Sequence, residues 1–137
     1  MDNIGAFDRN MQFKNGEYLE QADGTSWMAM FALNMMRISM ELALYNPVYE
    51  DMAIKFFEHY LYIAEAMENL GEGKNGLWNE EDGFFYDVLQ LNDGTGISLK
   101  LRSIVGLIPM FSVEIIEHET LERLPNFTKR MDCILEN

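Results

Sequence analysis

The residues of this chain that could perform chemistry are concentrated near its beginning, in two polar stretches. MDNIGAFDRN and EQADGTSW both precede the first long apolar segment, and together they contain acids, amides and aromatic rings. Carboxylates can transfer protons and bind hydroxyls, and aromatic faces can cover the C–H surface of a sugar ring. The composition is therefore typical of a sugar site, although turns are rich in the same residue types. The residues concerned are Asp2, Phe7, Asp8, Arg9, Tyr18, Gln21, Asp23 and Trp27.

Other kinds of site find little support in the sequence. The acidic stretch WNEEDGFFYD does not fit a calcium loop, because placing its glycine sixth would make Trp78 the first ligand and Leu89 the twelfth. His59 and His118 have no partner at metal-ligand spacing, and Cys133 lies in no nucleophile motif. We therefore expect neither a metal nor a cofactor.

The charge balance limits the partners of the chain. Its formal net charge is −13, from 23 acidic and 10 basic residues, and no cluster of Lys or Arg relieves the negative field. Such a field repels phosphates, so we expect no nucleic-acid partner. The single cysteine and the lack of a signal-like start predict a cytoplasmic protein. Polar residues interrupt each apolar stretch, so we expect no membrane partner either.

Two long helices are predicted next to the polar stretches. Apolar side chains recur at helical spacing from about Ser26 to Leu44, and Asp23 is suited to cap the N-terminus. A second helix is predicted from Pro47 to about Leu70. Each would be about 30 Å long, so the pair should pack as a hairpin. Both are apolar on more than one face, which indicates neighbours that one hairpin cannot supply.

The rest of the chain contains one change of periodicity. FFYDVLQL and ISLKL flank NDGTG and predict a β-hairpin between about Phe84 and Leu101. RSIVGLIPMFSVEIIE predicts a third helix, kinked or started near Pro109, and a fourth begins near Asn126. Residues 1–22 are predicted to be irregular, with a turn at Asn15-Gly16. The fold class that follows is all-α.

Five stretches, in one order along the chain, resemble bacterial members of glycoside hydrolase family 63. This family includes proteins of the mannosyl-oligosaccharide glucosidase and mannosylglycerate-hydrolase-like types. The resemblance covers nearly the whole chain, and each motif alone is moderately specific. The five stretches are MDNIGAFDRN, EQADGTSWMAMFALNM, FEHYLYIAEAM, GLWNEEDGFFYDVL and RSIVGLIPMF.

The resemblance implies a fold for the chain. The family's catalytic domain is an (α/α)6 barrel, a toroid of six inner and six outer helices with polar loops at one rim. The four helices expected here, with one β-hairpin between the second and third, would form a segment of that toroid. Residues 1–137 would then be a partial catalytic barrel, truncated at both ends, which would explain helices that are apolar on two sides.

The resemblance also implies a reaction, an inverting hydrolysis of α-linked glucose or a related sugar by a general acid and a general base. The family's acid is an aspartate in a Gly-Met-Asp-Asn loop, and Met1-Asp2-Asn3 matches all of it but the glycine. This assigns the acid to Asp2. The matching base would lie beyond Asn137. Inversion requires the two carboxyls about 6.5–9.5 Å apart.

Further expectations concern the substrate and the isolated chain. Phe7, Gln21, Asp23 and Trp27 are the predicted lining of the sugar pocket. Without the base, the chain alone is expected to be inactive and to self-associate through uncovered apolar surface. The alternative is a stand-alone acidic helical-hairpin module that binds other proteins. Such a module would be a monomer without an exposed apolar face.

Overall fold

The computed structural model describes residues 8, 9, 13, 15–68 and 76–136 of the chain. Its strands are β1 (Tyr18–Glu20), β2 (Trp78–Asn79), β3 (Phe84–Phe85), β4 (Asp87–Gln90) and β5 (Gly96–Leu99). Its α-helices are α1 (Ala22–Ala43), α2 (Val48–Glu68), α3 (His118–Arg123) and α4 (Pro125–Leu135), and a 3-10 helix, η1, covers Ile104–Phe111.

The chain divides into two compact units, each built from two separate stretches. Unit 1 takes its described residues from the stretch up to Met28 and from Ile63–Ser112. Unit 2 takes them from Ala29–Tyr62 and from the stretch that begins at Val113. The sheets and η1 belong to unit 1, whereas α3 and α4 belong to unit 2.

The prediction of an all-α fold, and with it of an (α/α)6 toroid segment, is wrong. The described residues form a three-stranded sheet of order β1-β4-β5 and a second, two-stranded sheet of β2 and β3, all antiparallel. The chain is therefore a mixed helix and sheet structure. The sequence does not reveal the sheets clearly, because all five described strands have only two to four residues, and such short segments give little periodic signal.

The three-stranded sheet contains the predicted hairpin and one unexpected strand. The hairpin of β4 and β5 is confirmed, with Asp87 opposite Leu99 and a turn in which Gly94 has a φ of +81°. This φ lies in the left-handed region that glycine adopts readily. The turn at Asn15-Gly16 is also confirmed, but it leads into β1, which pairs with the other edge of β4.

The α-helix predicted over residues 102–117 is another expectation that the structure corrects. Residues Ile104–Phe111 form η1, and residues 112–117 are irregular. Pro109 provides no backbone N–H for an α-helical bond. Gly106 is buried so tightly that an added Cβ would lie under 3.0 Å from the ring of Phe84 and from the carbonyl oxygen of Phe85. Pro109 and the contacts of this segment with β3 thus override its helical apolar pattern.

Unit 1 has a small core between the start of α1, the end of α2 and the sheets. Its buried members are Ala22, Met67, Leu77 and Val88, with Ile63 and Phe85 packed against them. Because Ala22 is fully buried, α1 must start against the sheet. Its start at Ala22 also means that Asp23 lies in the first turn rather than at the predicted cap.

Unit 2 buries α4 against α1 and α2. Phe127 is fully buried and packs edge-on against Phe57, with ring centroids 5.8 Å apart. The carboxylate of Glu50, itself 5% exposed, accepts the backbone N–H groups of Asn126 and Phe127 at 2.7 and 2.9 Å. These N–H groups would otherwise lack partners, because they lie in the first turn of a helix.

None of the described helices is both long enough and apolar enough to cross a bilayer.

Candidate functional site

Three of the polar residues selected from the sequence, Arg9, Gln21 and Asp23, meet at a buried ion cluster in unit 1. Arg9 Nη1 donates to Asp23 Oδ2 at 3.1 Å, and Nη2 donates to Asp23 Oδ1. On its other side, Arg9 Nε donates to Asp87 Oδ2 at 2.8 Å. The side chains of Arg9, Asp23 and Asp87 are 0%, 7% and 3% exposed. The guanidinium is thus held between two carboxylates, away from water.

Backbone groups complete this cluster. Asp87 Oδ1 accepts the N–H of Ala22 at 2.9 Å, and Asp23 Oδ1 accepts the N–H of Gly24 at 2.9 Å. Both N–H groups lie at the start of α1, where the helix dipole favours negative charge. The Gln21 side-chain amide donates to the carbonyl oxygen of Arg9 at 2.9 Å. Residue 9 is therefore held through both its side chain and its backbone.

The surroundings of Arg9 fix its charge. Burial acts to lower the pKa of Arg9, but hydrogen bonds and charge attraction from Asp23 and Asp87 outweigh burial and raise that pKa above its usual value. The guanidinium remains protonated throughout the range in which proteins are studied. Titration of Arg9 therefore cannot open the cluster.

The structure does not bring all five predicted site residues together. Asp2 and Phe7 lie outside the described residues. Gln21 and Asp23 are brought together around Arg9. Both oxygens of Asp23 are engaged by Arg9, which favours a role in holding Arg9 over direct contact with a sugar. Trp27 lies one turn after Asp23 on α1 and is 44% exposed, so its ring is accessible to a ligand.

Asp87 is the site residue that the sequence reasoning did not select. It lies in FFYDVLQL, where one acid interrupts an apolar β-strand pattern. A charge on an otherwise buried strand requires a partner, because burial of an unpaired charge is costly. That signal identifies Asp87 as paired, but the sequence does not say that Arg9, 78 residues away, is the partner.

A second group of charges lies on the surface of unit 1. Asp82 Oδ2 lies 2.9 Å from Lys100 Nζ, and Asp82 Oδ1 accepts a hydrogen bond from Arg102 Nη2 at 3.0 Å. Arg102 Nε also donates to the hydroxyl of Tyr86 at 3.2 Å. The hydrogen bond from Lys100, then the charges of Lys100 and Arg102, lower the pKa of Asp82 below its usual value. This group ties the β2–β3 turn to the segment after β5.

Unit 2 contains an open cavity between α3 and α4. Its volume is about 600 Å³, and Leu121, Thr128 and Cys133 are among its lining residues. Its lining also includes charged side chains of both signs, such as Glu122 and Lys129. Among the residues that the structure describes, no group of three His, Cys, Asp or Glu side chains could hold a metal ion.

Comparison with known proteins gives one informative relative. A Saccharomyces cerevisiae protein described as "Uncharacterized protein YMR196W" is 43% identical to this chain over 148 residues. The match covers 100% of this chain and 14% of the yeast protein. The chain thus spans about one-seventh of the length of the curated relative it matches. No protein-family model and no solved structure matches it.

Proposed function

We propose that this chain is part of an inverting glycoside hydrolase of the family 63 type, which acts on α-glucosidic or related bonds. Asp2 is the general acid that protonates the leaving oxygen, and the general base lies outside residues 1–137. The proposal rests first on the five ordered stretches that resemble the family. It is compatible with the yeast relative, of which the chain matches only 14%.

The structural observation that carries the proposal is the attachment of Arg9 to the start of α1. Arg9 is bound by Asp23 and by the Gln21 side chain. The acidic segment that contains Asp2 precedes Arg9 by only a few residues. Trp27, on the first turns of α1, presents an aromatic surface of the kind that stacks on sugar rings. Arg9 and Trp27 therefore both belong to unit 1, and Asp2 lies seven residues before Arg9 in the sequence.

Exposed apolar side chains in unit 2 support the proposal that the chain functions as part of a larger protein. Phe31, Ile38, Tyr45, Val48 and Ile115 are 57%, 52%, 83%, 72% and 75% exposed. Large apolar patches on a monomer commonly mark contact surfaces. A self-sufficient interaction module, the alternative function, would be expected to cover these side chains. Sedimentation and the binding of a hydrophobic dye, both measured on the purified chain, distinguish the hydrolase fragment from the interaction module. Only the proposed fragment should self-associate and bind the dye.

The decisive experiment uses the polypeptide that the natural reading frame encodes around these residues. We expect it to hydrolyse an α-glucoside and to release the β-anomer first, which NMR detects directly. Asp2→Asn should lower kcat by about 10²-fold or more, because it removes general acid catalysis. Trp27→Ala should mainly raise KM.

Two controls make the result interpretable. Trp78→Ala replaces an exposed tryptophan of unit 1 that lies outside the proposed pocket, and it should leave KM unchanged. The isolated 137-residue chain should show no hydrolysis. Activity of the isolated chain that disappears with Asp2→Asn would contradict the assignment of the base to another segment, and a retained anomer would contradict inversion.

A further inference from the structure

The turn that leads into β1 contains an exposed Asn-Gly pair. Asn15 and Gly16 are both exposed, and Gly16 has a φ of +80°. Within the described parts of the chain, neither the Asn15 side chain nor the Gly16 backbone N–H has a hydrogen-bond partner. The carboxamide of Asn15 and the backbone nitrogen that follows it are therefore both accessible to solvent and held by no other group.

We propose that Asn15 is a site of spontaneous deamidation. The backbone nitrogen of Gly16 gives its proton to a solvent base and attacks Cγ of Asn15, which closes a five-membered succinimide ring. The bond between Cγ and the side-chain nitrogen breaks, and ammonia leaves with that electron pair and a proton from water. Water then opens the ring at either carbonyl and gives aspartate or isoaspartate. Glycine favours ring closure because it has no Cβ to obstruct the attack.

Three Asp-Gly pairs in the sequence could form the same ring, but the structure binds the carboxylate of each. Asp23 is held by Arg9, Asp82 lies 2.9 Å from Lys100 Nζ, and Asp93 accepts a backbone N–H at 2.8 Å. Hydrogen bonds from Lys100 and from the backbone lower the pKa of Asp82 and of Asp93, respectively. An ionised carboxylate resists attack, because ring closure must expel a protonated oxygen. These aspartates should therefore react much more slowly than Asn15.

Other asparagines are protected by their neighbours. Asn46 precedes Pro47, which has no N–H that could yield the attacking nitrogen. The side-chain amide of Asn126 donates to Glu50 at 2.9 Å, and the following N–H, that of Phe127, donates to the same carboxylate. Both reacting groups of this pair are thus occupied. The comparison singles out Asn15, which combines a glycine neighbour with an unoccupied side chain.

Deamidation at residue 15 should weaken the pairing of β1 with β4. A Cβ added at Gly16 would lie 3.0 Å from Asn92 Oδ1, so the Asn-Gly turn lies beside the turn between β4 and β5. The reaction places a new carboxylate close to that turn, which already contains Asp93. Like charges repel, and isoaspartate also lengthens the backbone by one methylene three residues before Tyr18, where β1 begins.

Timed incubation of the 137-residue chain in mildly alkaline buffer tests the reaction. Tandem mass spectrometry assigns each asparagine separately, including Asn75 of the second Asn-Gly pair. We expect Asn15 to deamidate about 10-fold faster or more than Asn92, whose following residue has a Cβ, and to give both aspartate and isoaspartate. Asn15→Gln should abolish the reaction at residue 15, because a six-membered ring closes far more slowly. Asn92→Gln is the matched control and should leave the rate at Asn15 unchanged.

Two results of this incubation would overturn the proposal. One is an equal rate at Asn15 and Asn92, and the other is aspartate as the sole product, which would indicate direct hydrolysis without a ring. Repetition in urea tests the structural argument. The rate at Asn15 should change by less than about threefold on unfolding, whereas isomerisation at Asp23 should rise about 10-fold or more. A large rise at Asn15 would show that the fold protects it and would contradict the proposal.

Hydrogen exchange of the aged chain tests the effect on the sheet. Amides of β1 should exchange about 10-fold faster in the isoaspartate form than in the fresh chain, because β1 separates from β4 more often. Amides of α4, in unit 2, should exchange at the same rate in both. Unchanged exchange in β1, or an equal increase in β1 and α4, would contradict the proposed weakening of the pairing.

Discussion

Glu50 and Phe127 are 77 residues apart, and the carboxylate of Glu50 accepts the backbone N–H of Phe127 at 2.9 Å. The same oxygen accepts the N–H of Asn126, and the other oxygen accepts the Asn126 side-chain amide at 2.9 Å. Leu124, at the N-cap position of α4, has no side chain that could do this. A residue of α2 therefore performs the capping function for α4, with a negative charge at the positive end of the helix dipole.

Removal of this capping carboxylate should destabilise unit 2. Glu50→Ala leaves two backbone N–H groups in a buried place without an acceptor, so we expect a loss of about 2–4 kcal/mol in the free energy of unfolding. Glu50→Gln keeps the oxygen that accepts both N–H groups and should cost about 1 kcal/mol. Urea unfolding followed by circular dichroism measures both. Equal stabilities for the two variants would show that the carboxylate does not cap α4.

The close approach of η1 to β3 gives a second prediction. Gly106→Ala would force a methyl group against Phe84 and the carbonyl of Phe85, which should lower the stability of unit 1 by about 1–3 kcal/mol. Gly94→Asn is the matched control. A Cβ added at Gly94 would meet no atom within 4 Å, and Asn tolerates positive φ. Thermal unfolding should separate the variants clearly, and a wild-type melting temperature for Gly106→Ala would contradict this packing.

The buried ion cluster predicts a difference between two acids. Asp87→Ala removes the buried acceptor of both Arg9 Nε and the Ala22 N–H, so we expect a loss of about 2–4 kcal/mol. Glu117→Ala removes an exposed pair with Arg37, at 2.9 Å, and should change stability little because water screens the charges. Chemical unfolding of both variants tests this. A Glu117 variant as unstable as the Asp87 variant would be the contrary result.

Asp82 predicts a pH dependence of stability. Lys100 and Arg102 hold the pKa of Asp82 below its usual value, so the folded state binds its proton less tightly than the unfolded chain does. The stabilisation is complete above the ordinary pKa and is lost as the pH falls through the lowered one. The wild type should therefore be more stable than Asp82→Asn above about pH 5, with the difference shrinking below about pH 4.

Unfolding measured at several pH values checks this expectation. Asp93→Asn serves as a comparison that separates the effect of nearby cations from the effect of a backbone hydrogen bond. The pKa of Asp93 is lowered chiefly by a hydrogen bond from the Thr95 backbone rather than by cations. Added salt should therefore weaken the effect of Asp82 and leave that of Asp93 largely unchanged. A wild-type advantage over Asp82→Asn that grows on acidification would have the wrong sign.

The sequence predicts the elements of this chain that are long or contain a strong turn signal. The two long helices and the hairpin around Gly94 are of this kind, since periodicity and turn chemistry are local properties. β1 escapes prediction because its three residues become a strand through pairing with β4, with Tyr18 opposite Gln90. The third helix fails for a similar reason, because contacts with β3 decide its backbone.

In the candidate site, too, the sequence predicts the features that are local and misses those that depend on distant contacts. Gln21, Asp23 and Trp27 could be selected by residue type and by their place before and within α1. Their separate roles depend on Arg9 and Asp87, whose contacts join distant parts of the chain. A list of polar residues near a helix start cannot show which acid is occupied by a cation and which ring remains accessible.

The division of each unit into two stretches of chain has a consequence for biosynthesis. When a ribosome has released residues up to 112, every segment of unit 1 is available, but unit 2 still lacks α3 and α4. Unit 1 can then form while Leu33, Met36 and Phe57 have not yet met Phe127. During this interval the apolar side chains of α1 and α2 in unit 2 are accessible to chaperones. They are covered only when α4 packs against them and Glu50 binds the N-terminus of α4.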